Sequence, residues 1–257
     1  MSVDPTKYEK DTKAICSFSG GKDSTAMLIR LVEEGYPLDE IVFFDTGWEW
    51  PQIYKHVKAV ERYIKRPITI LKPSKPFEWF MYEKPSAIGK GKGWPRFNLR
   101  WCTGEKQKVI QRYLRSRKPY VQYIGFTVDE AYRVKRYEGD KTRRFPLVAW
   151  GMTEADCLKL CRDRGFDFGN LYDHASSTSC WCCPLQPLNA LRALYKYYPD
   201  MWARLLDMAS RTPTPFKIGR CVQDGIYVKD IDARFKREIA EGIFEAKLAG
   251  KPKEAAV

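Results

Sequence analysis

Histidine is scarce in this chain of 257 residues: His56 and His174 are the only two. Each stands apart from the other chemistry-bearing residues, so hydrogen-bonded structural roles are expected and histidine catalysis is not. Long apolar runs are missing as well. No stretch approaches the roughly 18–20 residues that a transmembrane helix needs. The opening residues lack the apolar core of a secretory signal. A cytoplasmic protein with no membrane partner is expected. Acid is nearly absent from one segment: the eleven lysines and arginines from Lys84 to Lys118 are accompanied by one acid, Glu105. This block contributes to a formal net charge of +13. It would attract polyanions by counterion release, or stand as a solvated basic face. Disulfides are not expected without a secretion signal. Five of the eight cysteines nevertheless lie between 157 and 183, which points to metal or redox chemistry.

What is present suits a packed core, with 44% hydrophobic and 14% aromatic residues. Residues 14–18 read as a buried strand that runs into a Ser-Gly-Gly turn. Apolar spacing predicts a helix over 23–34, closed by Gly35. A strand at 41–44, a helix from Pro51 to about 63 and a strand at 68–71 follow. That alternation predicts an α/β fold, a doubly wound parallel sheet over residues 1–150. A long basic stretch over 72–100 precedes a helix at 105–117, a strand at 121–124 and a further strand at 146–150. Residues 151–257 are expected to form a helical region bearing the cysteines. Its helices are placed at 154–163, behind a Thr153 cap, at 187–210 and at 228–248.

The hexapeptide Ser19-Gly20-Gly21-Lys22-Asp23-Ser24 lies at the first strand-to-helix junction. Phosphate chemistry needs donors that approach without side-chain obstruction. Gly20 and Gly21 let backbone N–H groups turn inward, and the next helix aims its positive end at the same point. Lys22 adds charge; Ser19 and Ser24 add hydroxyls. The Walker A spacing is absent.

This hexapeptide resembles the loop of the PP-loop ATP pyrophosphatase superfamily, and the chain resembles its phosphoadenosine phosphosulfate (PAPS) reductase-like family. Asp45-Thr46-Gly47 with Glu49 and Pro51 is similar to that family's second-strand motif. Arg100-Trp101-Cys102-Thr103 with Lys106 is similar to its Arg-x-Cys-Thr-x-x-x-Lys segment. Gly125 with Asp129, Glu130 and Arg133 is similar to its Gly-x-x-x-x-Glu-x-x-Arg segment. The resemblance implies that Ser19 to Ser24, with Lys22 foremost, hold the phosphates of ATP. Asp23 would hold Mg2+ or cap the helix. Asp45, Thr46 and Gly47 would contact the adenosine. Arg100, Thr103, Lys106, Gly125 and Arg133 would complete the nucleotide and substrate side. Lys22, Asp23, Cys102 and Arg133 are the expected catalytic residues. The Cys of true reductases, in a C-terminal Glu-Cys-Gly-x-His segment, has no counterpart after Cys221.

Cys180 and Cys183 form a Cys-x-x-Cys pair followed by Pro184, a spacing that lets two thiolates face one metal. Cys161 is the expected third ligand. Cys102 is favoured as the fourth over Cys157 or Cys182. Resemblance to PP-loop sulfur-transfer and DNA-phosphorothioation enzymes favours a 4Fe-4S cluster. Zn2+ and a metal-free packing role are the alternatives. Cys16 is expected in the core.

Three functional expectations follow. The first is ATP-dependent adenylation of a substrate with pyrophosphate release. A sulfur or nitrogen nucleophile then displaces AMP, with a nucleic acid or small acceptor as substrate and a sulfur-donor protein as partner. The second is binding or reduction of PAPS or APS. The third is a non-catalytic nucleotide- or nucleic-acid-binding subunit. Aromatic residues beside the basic block, among them Trp79, Phe97 and Trp101, suit base stacking or the core equally.

Overall fold

The computed structural model describes residues 8–86, 89–175, 177–218 and 225–249; Cys221 lies outside them. The chain divides into two compact units that are each discontinuous in sequence. Unit 1 is Met1–Pro73 with Glu105–Tyr172, and unit 2 is Ser74–Gly104 with Asp173–Val257. Residues 151–172, expected at the head of the helical region, thus cluster with the sheet. Residues 74–104 cluster with the C-terminal helices.

In unit 1, strand β1 (Lys13–Phe18) is buried on both faces, with Ala14, Ile15 and Cys16 fully enclosed. That is why it reads as a continuous apolar run rather than an alternating one. Helix α1 (Lys22–Glu33) follows, and Ala26, Met27, Leu28, Ile29 and Leu31 are fully buried. It stops at Gly35, whose φ of +68° a side chain would resist. Tyr36 N–H then bonds Leu31 O and Gly35 N–H bonds Val32 O, which pairs the last carbonyls. Strand β2 (Glu40–Phe44), helix α2 (Pro51–Ile64) and strand β3 (Thr69–Leu71) complete the first half. Helix α3 (Trp101–Arg115), strand β4 (Tyr120–Ile124) and the short strand β5 (Arg143–Arg144) form the second.

The sheet order is β3-β2-β1-β4-β5, and every pairing is parallel. Cys16 pairs with Ile41 on one side and Tyr123 on the other. The chain therefore winds one way from β1 and then the other, so β1 and β4 flank the topological switch point. Ligands of open α/β sheets bind there, beyond the strands' C-terminal ends.

Three expected elements differ from those observed. Residues 146–150 are not a strand: Pro146–Ala149 is a helical turn with Pro146 at its first position, and the edge strand is β5, just before it. Proline's fixed φ suits a helix start and supplies no ladder N–H. Helix α3 starts at Trp101, four residues early, and so takes Cys102 and Thr103 into its first turn. The helix expected over 187–210 is two, α5 (Leu188–Tyr197) and α6 (Pro199–Ser210). Pro199 forces Tyr198 out of helical geometry, to φ −137° and ψ 61°. Helix α4 (Glu154–Asp163) has the expected box: Asp156 N–H bonds Thr153 Oγ1 at 3.1 Å, and Thr153 N–H bonds Asp156 Oδ2 at 2.9 Å. The charged tail forms α7 (Val228–Ala240) and α8 (Phe244–Ala249), parted by Gly242 at φ +70°.

Unit 2 packs around Phe235, whose ring lies 5.5–5.7 Å from those of Tyr195, Trp202 and Phe244. Beside it, Arg192 grips Glu238 with two bonds of 2.7 and 2.9 Å, and both side chains are buried. Arg234 and Lys247 also reach Glu238 Oε1. Removing one partner strands a buried charge, so Glu238→Ala is expected to cost about 3–5 kcal/mol, read from urea unfolding. His56 is buried in unit 1, shares a 2.9 Å hydrogen bond with Thr25 Oγ1 and lies against Phe168. Burial lowers its pKa to about 4, from 6.5. The unfolded ring therefore takes up a proton first. Stability is complete above about pH 6.5 and falls by about 3 kcal/mol towards pH 4. His56→Gln should flatten the urea midpoint over that window.

Candidate functional site

The β1–α1 turn holds the hexapeptide at the switch point. Gly20 takes φ +78°, and a Cβ there would sit 2.8 Å from Ile53 Cγ2. Ser19 N–H bonds Ser24 Oγ at 3.1 Å, and Ser24 Oγ bonds Gly21 O at 3.0 Å, so the loop is closed by its own hydroxyl. No side chain caps α1, whose positive end therefore faces the loop. From β4, Gly125 approaches so closely that a Cβ would lie 3.1 Å from Ser24 Cα and 3.2 Å from Ser24 N.

Lys22 is buried, with its ammonium 2.8 Å from Glu154 Oε2 and 3.2 Å from Asp23 Oδ2. Burial opposes its charge, but the hydrogen bond to Glu154 and the two carboxylates outweigh that and raise its pKa. Lys22 N–H bonds the Tyr172 hydroxyl at 2.8 Å. Burial raises the Asp23 pKa, with Lys22 opposing. Its Oδ1 is buried with no hydrogen-bond partner, an orphaned acceptor beside a phosphate-type loop. Neither Glu154 nor Tyr172 was singled out from sequence. Glu154 announces itself only as the first residue of a capped helix.

Beside the loop, Ser17, Phe18, Ser19, Val42, Phe44, Lys106, Ile110, Tyr113 and Leu114 line a cleft of about 390 Å3, part of it open solvent. Lys106 lies 5.8 Å from the Phe44 ring centre. The turn after β2 is tied internally: Asp45 Oδ1 accepts from Gly47 N–H and Tyr54 OH, and Thr46 Oγ1 donates to Glu49 Oε1 at 2.8 Å. Burial raises the Glu49 pKa. Arg133 pairs with Glu130 and lies 4.0 Å from the Phe126 ring centre.

The thiols divide between the units. Cys157 and Cys161 are fully buried in unit 1, where the Cys161 thiol donates to Lys22 O at 3.4 Å and burial pushes its pKa up to about 12. Arg100, Cys102, Thr103, Cys180 and Cys183 belong to unit 2. There Cys183 N–H closes a turn onto Cys180 O at 3.0 Å. Burial raises the Cys183 pKa and the neighbouring Cys102 adds to it, while Lys217 and Arg100 lower it. Lys217 Nζ is held at 2.6 and 2.5 Å from Pro184 O and Gln186 O. Cys182 is enclosed, and burial lifts its pKa well above the thiol range. Among the described residues no three His, Cys, Asp or Glu side chains gather as metal ligands. The set Cys102, Cys161, Cys180 and Cys183 does not present a four-thiolate cage, and no step below passes through a metal held by it.

A parallel sheet with a self-closed Ser-Gly-Gly-Lys-Asp-Ser loop at its switch point defines an α/β protein of the PP-loop kind. The chain belongs to the family described as the phosphoadenosine phosphosulfate reductase domain, whose model matches residues 13–186. An uncharacterised protein of Methanocaldococcus jannaschii is 25% identical over 211 residues, which are 77% of this chain and 42% of that protein. The chain thus spans less than half the length of that relative. Among solved structures, the U34-tRNA thiolase NcsA of Methanococcus maripaludis, solved with its [4Fe-4S] cluster, is similar at 17% identity. The match covers 100% of this chain and 77% of that one, with a TM-score of 0.45. No helix among the described residues is long and apolar enough to cross a membrane.

The contact between β4 and the loop is open to direct test. A Gly125→Ala methyl must push Ser24 aside, at a cost of about 1–3 kcal/mol. The thermal midpoint should fall, and adenine-nucleotide affinity should fall with it in isothermal titration.

Proposed function

We propose that this chain is a PP-loop enzyme that binds ATP on the loop from Ser19 to Ser24 and activates an oxygen of an acceptor as its adenylate. The acceptor oxygen attacks the α-phosphorus and pyrophosphate leaves. A sulfur or nitrogen nucleophile then takes the oxygen's place, and the oxygen departs with AMP. The observation that carries this reading is the loop itself: glycine backbone at the end of β1, an uncapped helix start behind it, and a cleft beside it lined by Ser17, Ser19 and Lys106. Inward-facing amides would stabilise charge as it develops on phosphate. Lys22 would keep the adjoining charge balanced, because its ammonium already bridges Asp23 and Glu154. Magnesium accompanying ATP would supply further neutralisation, and Asp23, with its orphaned Oδ1, is the residue to hold it. Asp45, Thr46 and Gly47 fit the adenosine side. Lys106 and Arg133 fit the phosphate side.

Sulfonucleotide chemistry is a second reading, favoured by the family match and by the nearness of Cys102 to Cys183. It predicts thiol-dependent sulfite release from PAPS or APS. A thiolate-held metal is tested separately, by iron, sulfide and zinc analysis of anaerobically purified protein.

With magnesium and ATP, purified protein should release pyrophosphate when the right acceptor is present. Lys22→Ala should slow that release about 100- to 1,000-fold, as followed in a coupled pyrophosphate assay. Absence of release across RNA, DNA and small acceptors would overturn the adenylation reading.

A further inference from the structure

Unit 2 carries a short turn whose exposure its packing does not explain. Arg96 and Leu99 exchange two backbone hydrogen bonds, of 3.2 and 3.1 Å, and so pinch off Phe97 and Asn98 at the tip. Phe97 is 81% exposed and Leu99 is 54% exposed. The turn is held at both ends by buried tryptophans. Trp94 N–H bonds Thr214 Oγ1 at 3.1 Å, and its ring meets Phe216 edge-on at 4.9 Å. Trp101 Nε1–H bonds Gly93 O at 3.1 Å, and its ring stacks on Phe80. A rigid mount thus presents a large apolar ring to water, a choice that folding alone disfavours.

The surroundings of the ring are cationic. Lys84, Lys90, Lys92, Arg96 and Arg100 fall in this stretch with no acid among residues 84–100. The Arg100 guanidinium lies 5.3 Å from the Phe97 ring centre. Lys84 and Lys92 both lie over Phe80, the ring that stacks on Trp101. Arg96 Nε–H has no hydrogen-bond partner, a donor left for an anion. An exposed aromatic face ringed by cations matches one polymer in both its chemistries: bases to stack and phosphodiesters to pair.

We propose that the turn from Arg96 to Arg100 is a stacking platform for single-stranded nucleic acid, with a base on Phe97 and the backbone phosphates on Arg100 and Arg96. Duplex nucleic acid keeps its bases stacked inside and would meet only the cations. The platform is independent of the adenylation reading, since it needs no ATP.

The test is fluorescence anisotropy without ATP, using a labelled strand of mixed sequence as RNA and as DNA, and the same DNA as a duplex. Wild type should bind a single strand more tightly than the duplex; binding of RNA, DNA or both supports the platform and names the strand. Phe97→Ala should weaken single-strand binding about 5- to 100-fold and change duplex binding less than about twofold, while Phe97→Trp retains affinity. Phe97→Leu, apolar but without a ring, should behave as Phe97→Ala. Arg100→Ala should lower the salt slope by about one. Equal binding by Phe97→Ala and wild type would overturn the platform, as would full affinity in Phe97→Leu or preference for the duplex. Phe97-dependent binding to anionic lipid vesicles, with no single-strand binding, would overturn it in favour of a membrane. Since the ring is exposed, all these variants should keep the wild-type thermal midpoint, which separates lost binding from lost fold.

Discussion

The close approach of two backbones at the end of the sheet governs what unit 1 can do. Gly125, leaving β4, leaves only van der Waals room beside Ser24, and Gly20 presses towards Ile53 with a left-handed φ. Neither position admits a side chain without movement. The parallel pairing of β1 with β4 brings the two turns together, because the register that sets Ser17 against Ile124 delivers both chains to the switch point at the same height. The loop's geometry is thus a consequence of sheet topology, and the glycines are what that topology requires.

Charge is managed around the same point. Lys22 is buried beside Asp23 and meets the exposed-side carboxylate Glu154, so the loop's cation is paired. The N-terminus of α4 supplies Glu154, and its position is set by the Thr153–Asp156 capping box and by a bond from Glu154 N–H to Asp129 Oδ2. Asp23 keeps one oxygen without a partner. Such an arrangement holds a cation close to an anion-binding turn while leaving one acceptor for a metal ion or solvent.

Unit 2 follows a different logic. Its helices close over Phe235 and the Arg192–Glu238 pair. Its cysteine turn is drawn tight by the Cys183–Cys180 bond and by Lys217. Burial dominates the thiol chemistry, so Cys182 behaves as a packing residue, while Cys102 and Cys183 remain half-buried neighbours of two cations.

The sequence by itself determined the elements that neighbours along the chain encode. It showed β1, α1, β2, α2 and α4, the Gly35 stop, the Thr153 cap and the phosphate-type loop, because spacing and capping are local signals. It misplaced the start of α3 and the edge strand, where Pro146 acts on a few residues whose pairing depends on β4. Tertiary structure alone decided that Glu154 meets Lys22 across 132 residues and Tyr172 meets it across 150. It alone separated Cys161 from Cys102, Cys180 and Cys183, and turned Phe97 outwards while enclosing Trp94 and Trp101. Residue type does not distinguish a buried ring from an exposed one. What decides it is which distant segments pack against the turn, and no local pattern carries that information.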